Sequence, residues 1–135
     1  MTTFKNIPQD FDEKIYLKLH PDIKEKYSDN PHLHYENYGF YENRQYKIDI
    51  PEDFNIFIYL KLHPDLQEQY SKNPIDHYLN YGYFENRKYK VDLPEDFNDE
   101  VYLKLHPDLN EQYSNNTKFH YCHYGYFENR QYKVV

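Results

Sequence analysis

The chain has 135 residues, of which 39% are hydrophobic and 18 are tyrosine, so its core has to be built largely from aromatic rings. An aromatic share of 20% excludes a disordered tail, which buries too little surface to fold. A net charge of −7 with only three arginines offers no basic stripe for phosphates and excludes nucleic acid and anionic membranes as partners.

No apolar run approaches the roughly 18 residues of a membrane span. Met1-Thr2-Thr3-Phe4-Lys5 lacks the apolar stretch of a signal peptide, and the expectation is a protein made and kept inside a cell. The lone cysteine, Cys122, makes no internal disulfide, in keeping with a reducing compartment.

After a tail at residues 1–6, one unit of 43 residues occurs three times without insertion or deletion, at 7–49, 50–92 and 93–135. Ile7-Pro8-Gln9-Asp10-Phe11 opens the first copy, Ile50-Pro51-Glu52-Asp53-Phe54 the second and Leu93-Pro94-Glu95-Asp96-Phe97 the third. Copies two and three are identical at 30 of 43 positions.

Within the first copy, Asp12 is placed to cap a helix over Glu13–Leu19, and Phe11 just before the cap to pack on Tyr16 as a hydrophobic staple. Asn55 with Phe54 and Tyr59, then Asn98 with Phe97 and Tyr102, repeat this arrangement. Pro21, Pro64 and Pro107 each end that helix and restart it as a second short one, in copy one to about Tyr27, with His20 as its cap. Asn30-Pro31 and Asn73-Pro74 open a third helix carrying His34, Tyr35 and Tyr38 in copy one. Gly39 is expected to stop it by turning left-handed, as are Gly82 and Gly125. The next turn closes on Asn43 in the left-handed region, and Tyr46-Lys47-Ile48-Asp49-Ile50 reads as an extended connector. The expected fold is all-α, three tandem 43-residue repeats of short helices, stacked as a solenoid or strung as beads.

Each copy follows the scheme F-D-x-x-x-Y-L-x-x-N-P-D-L, then H-Y-x-x-x-G, then E-G-R. In copy one it is carried by Phe11, Asp12, Tyr16, Leu17, Pro21, Asp22, Ile23, His34, Tyr35, Gly39, Glu42 and Arg44. The chain thereby resembles tandem repeats found beside bacterial glycosyltransferase domains, in large secreted bacterial proteins and in giant-virus proteins. Two departures stand out: Asn43, Asn86 and Asn129 replace the Gly of the scheme, and His20, His63 and His106 replace its Asn. The resemblance implies a small helical module. Its giant-virus members imply the cytoplasm of an infected host cell, and its glycosyltransferase neighbours imply an accessory role in glycan binding.

An enzyme needs an asymmetric constellation, such as a nucleophile with its base. Here nearly every candidate occurs three times, His20 with His63 and His106, His34 with His77 and His120, so no catalytic residue and no cofactor is expected. His120, Cys122 and His123 lie within one helical turn but are one ligand short of a tetrahedral zinc site. No D-x-D-x-D-G run exists for calcium, and three glycines 43 residues apart make no phosphate loop.

Most tyrosines are expected in the core. Phe40, Tyr41, Tyr83, Phe84, Tyr126 and Phe127 are the candidates for an exposed aromatic contact surface, engaging a protein partner, a second copy or a glycan. Arg44, Arg87 and Arg130 are expected to pair with Asp22, Asp65 and Asp108 and tie the turn to the helix. The array shows no evident polar caps, leaving Val134 and Val135 as sticky positions.

Charging all eight histidines takes the net charge from −7 to +1. Light scattering is expected to rise between about pH 6 and pH 5 as the mutual repulsion fades; a flat signal over that interval contradicts the reading.

Overall fold

The computed structural model describes residues 4–134, and among these the chain is all-helical without a strand. In the first repeat, α1 (Glu13–Leu19) starts at Asp12, whose side chain accepts from the Ile15 N–H at 3.1 Å. Asn55 and Asn98 cap α4 (Ile56–Leu62) and α7 (Asp99–Leu105) in the same way. The staple forms too, with ring centroids 5.1 Å apart in Phe11–Tyr16, 5.2 Å in Phe54–Tyr59 and 5.1 Å in Phe97–Tyr102.

Proline then breaks and restarts the chain. A 3-10 turn at Pro21–Ile23 leads into α2 (Lys24–Tyr27), with equivalents at Pro64–Leu66 before α5 (Gln67–Tyr70) and at Pro107–Leu109 before α8 (Asn110–Tyr113). The histidine before each proline does not cap with its side chain. His20 Nε2 instead donates to the Gln45 carbonyl at 2.6 Å, and His63 and His106 donate to the Lys88 and Gln131 carbonyls at 2.7 Å each. Its role is to hold the connector, because a carbonyl can only accept. Asn30 and Asn116 likewise make no side-chain cap.

The third helix differs from the expectation in how it ends. α3 (Pro31–His34), α6 (Pro74–His77) and α9 (Thr117–His120) each run on into a π turn, Tyr35–Gly39, Tyr78–Gly82 and Tyr121–Gly125. No glycine has positive φ, and among the described residues the left-handed ones are Asn43, Asn86 and Asn129. In the first repeat the Asn43 N–H bonds the Phe40 carbonyl and the Arg44 N–H the Gly39 carbonyl, the paired bonds of a Schellman stop. Both bonds recur at the Asn86 and Asn129 stops.

Gly39 and Gly125 serve packing. A Cβ on Gly39 would run into the Tyr16 hydroxyl, and one on Gly125 into that of Tyr102. Tyr16, Tyr59 and Tyr102 are fully buried. Tyr16 and Tyr102 bond His34 Nδ1 at 2.9 Å and His120 Nδ1 at 2.8 Å. Residues 34 and 39, one π turn apart, therefore meet the same hydroxyl.

Two compact units form, one from residues up to Ile50 with Asp76–Arg87, the other from Pro51–Ile75 with residues from Lys88. Each takes parts of two neighbouring repeats, so repeats share packing inside each unit. The first unit is centred on Tyr16, Ile23 and Tyr35, with Phe11 and Tyr46 against them. The second is centred on Tyr102, Leu109 and Tyr121, with Phe97 and Tyr132 in the same places. These rings meet edge-on or tilted, as at Tyr16–Tyr35 (5.5 Å, 86°), the geometry that aromatic quadrupoles favour.

Arg44 forks onto Asp22 at 3.0 and 2.9 Å and reaches Glu42 at 2.7 Å; Arg130 does the same with Asp108 and Glu128. Arg87 reaches Glu85 at 2.7 Å. Lysines fasten each connector to the start of its own repeat, Lys47 to Asp10, Lys90 to Asp53 and Lys133 to Asp96, at 2.8, 2.8 and 3.0 Å. Residues 4–6 are fastened as well: the Lys5 and Asn6 N–H groups donate to the Glu36 carboxylate, and the Phe4 ring stands edge-on to His32. Val135 lies outside the described residues.

Replacing Asn43 by valine forces a β-branched residue into the left-handed region and is expected to cost about 1–2 kcal/mol. Glycine there keeps or raises the melting temperature. Thermal melts of Asn43→Val and Asn43→Gly check this, and equal melting temperatures would contradict it.

Candidate functional site

The six candidate contact rings form three adjacent pairs. Phe40–Tyr41, Tyr83–Phe84 and Tyr126–Phe127 each meet edge to face at 5.2, 5.3 and 5.2 Å. The first ring of each pair is exposed, 43% at Phe40, 38% at Tyr83 and 47% at Tyr126, and leans edgewise on the core rings Tyr35, Tyr78 and Tyr121.

The second rings divide into two kinds. Phe84 and Phe127 are half-buried, because a lysine of the preceding repeat lies across each. In the first unit Lys18 Nζ donates to the Asn80 carbonyl at 2.6 Å and sits 4.7 Å from the Tyr81 ring centre and 5.5 Å from that of Phe84. In the second unit Lys61 repeats this on the His123 carbonyl at 3.0 Å, with Tyr124 at 4.8 Å and Phe127 at 5.3 Å. Ammonium over an aromatic face is attracted by the ring quadrupole. In the first unit a groove of about 340 Å³ runs beside this clamp, lined by Leu17, Pro21, Tyr81 and Phe84 among others. Tyr41, the matching ring of the first repeat, carries no lysine and is 70% exposed.

Phe11, Phe54 and Phe97 are the staples, Pro21, Pro64 and Pro107 open the 3-10 turns, Gly39 and Gly125 underlie the tyrosines, and Arg44 and Arg130 tie the Schellman stops to Asp22 and Asp108. The fork holds both guanidinium groups above the ordinary arginine pKa and both aspartates below the ordinary carboxylate value.

The three candidate metal ligands do not converge. His120 Nδ1 bonds Tyr102, while His123 stacks on Phe119 at 3.8 Å with Nδ1 toward the Phe119 carbonyl. Burial raises the Cys122 thiol above its usual pKa, away from the thiolate a metal needs. Among the described residues no group of three His, Cys, Asp or Glu side chains is placed to hold a metal ion.

Sequence reading passed over a patch in the second repeat. Position 13 and position 32 of the first repeat are a paired Glu13 and His32 at 2.8 Å, whereas the second repeat has Ile56 and Ile75 there, both exposed, beside Phe57 at 69%. The signal was available as a polar pair replaced by an apolar one at two positions in the same copy.

No family model matches the chain, and neither a curated protein nor a solved structure matches it. Among the described residues no helix is long and apolar enough to cross a membrane.

Burial, helped by the nearby Arg44 and Arg130 charges, holds His34 and His120 below the usual histidine pKa, and burial pushes Tyr16 and Tyr102 up to about 12. Unfolded chains take up the histidine proton near about pH 6.5 while the folded chain resists it, so stability is full above that value and falls below it. The melting temperature is expected to drop on acidification from about pH 7.5 to about 5.5, and to drop less when His34 and His120 are both glutamine. A flat wild-type profile would contradict this.

Proposed function

We propose that the chain is a non-catalytic repeat module that works by contact, presenting the same aromatic ring once per repeat to a protein partner or to another copy. What supports this reading is the recurrence of Phe40, Tyr83 and Tyr126 at one position, exposed each time, while Tyr16, Tyr59 and Tyr102 at another are buried each time. A large ring left out of a tyrosine-built core three times over is surface available for binding, and aromatic residues dominate the energetics of such contacts. Repetition makes several weak contacts act together.

The second reading is an accessory glycan-binding module, favoured by the exposed tyrosines and by the glycosyltransferase neighbours of similar repeats. Sugar rings stack on aromatic faces, and Phe40, Tyr83 and Tyr126 offer them.

The test replaces Phe40, Tyr83 and Tyr126 together by serine. Helicity is expected to be unchanged, since the rings are exposed, and proteins retained by the immobilised wild-type chain are expected to be lost. Loss of retention on a glycan array by the same variant favours the second reading. Undiminished retention of every ligand by the triple variant removes the aromatic contact from both.

A further inference from the structure

The lysine clamp between repeats has a donor half and an acceptor half, and each occurs once more than it is used. Lys18 and Lys61 have a third equivalent in Lys104. Tyr81 with Phe84, and Tyr124 with Phe127, have a third equivalent in Tyr38 with Tyr41. Lys104 is exposed and among the described residues has no carbonyl or ring against it, and Tyr38 and Tyr41 carry no lysine.

Exposure tracks this. The isoleucine three residues before the clamp lysine is buried at Ile15 and Ile58, where a clamp forms, while the corresponding Val101 is only half-buried. Tyr38 is 51% exposed against 46% and 39% for its clamped equivalents Tyr81 and Tyr124. Tyr41 is far more exposed than the half-buried Phe84 and Phe127. Asn6 Nδ2 donates to the Tyr41 hydroxyl at 3.4 Å, and the ring keeps its 70% exposure.

We propose that copies of this chain dock head to tail, Lys104 of one copy lying over Tyr38 and Tyr41 of the next and donating to its Asn37 carbonyl. The occupant is a second copy because the two unmatched halves are those of an interface the chain already makes twice, residue for residue: lysine, the carbonyl equivalent to that of Asn37, and two aromatic rings. The contact joins two different faces, so a pair leaves one of each exposed and assembly continues into rings or filaments. This inference deepens the assembly reading above and rests on it, naming the partner and the surface.

The test uses the full chain in light scattering over a concentration series. The wild-type mass is expected to climb above 16.9 kDa with concentration. Lys104→Glu alone, and Tyr38→Glu with Tyr41→Glu, are each expected to stay at the monomer mass. Each variant keeps one intact face, so an equimolar mixture of the two is expected to reach twice the monomer mass and stop. Circular dichroism checks that helicity is kept, and Lys104→Gln or Tyr41→Ser replaces a variant that loses it. A wild type that stays monomeric, a Lys104→Glu chain that assembles like the wild type, or a mixture that stays monomeric overturns head-to-tail docking. None of these touches retention of other proteins through Phe40, Tyr83 and Tyr126, which its own variant decides.

Discussion

Tyr16 lies wholly inside a thin layer of short helices, and its hydroxyl has to be bonded there, because an unpaired buried hydroxyl costs about 1–3 kcal/mol. His34 supplies the bond, and Gly39 supplies the space by having no Cβ. Those two positions are five apart, the spacing that the π turn closes. Once that turn is set, the helix carries on to a left-handed asparagine, and the following arginine arrives at Asp22. Cap, staple, turn and fork thus converge on one buried hydroxyl. Tyr102 with His120 and Gly125 repeats the arrangement in the other unit.

The same logic explains what could be read from the sequence and what could not. Caps, staples, proline restarts and the left-handed asparagines depend on residues within a few positions of one another, so Asp12, Phe11, Pro21 and Asn43 announce them. The fork of Arg44 onto Asp22 was also legible, from one rare residue at fixed phase in each copy. Gly39 was misread because a glycine after a helix usually turns left-handed, and nothing local says that a tyrosine 23 positions earlier needs its missing Cβ. His20 misled in the same way: the cap it resembles is local, and the carbonyl it holds is not.

The surface was legible only in part. Spacing identified the ring pairs, and the structure separates their members by use, Phe84 and Phe127 beneath lysines and Phe40, Tyr83 and Tyr126 in the open. Lys18 and Lys61 escaped notice because one lysine among thirteen carries no local mark. Their meaning comes from the neighbouring repeat. Duplication explains the economy of the arrangement, since a face that works between two repeats is copied along with everything else.

A double-mutant cycle on Tyr16→Phe and Gly39→Ala tests the central claim most directly, with stability read from denaturant melts. Gly39→Ala in the wild-type chain should be costly, since the methyl has to displace a bonded hydroxyl. On the Tyr16→Phe background, where that hydroxyl is gone, it should cost less, with a coupling of about 1 kcal/mol or more. Strictly additive losses would mean that the glycine and the tyrosine answer to different constraints, and that the hydroxyl does not organise the repeat.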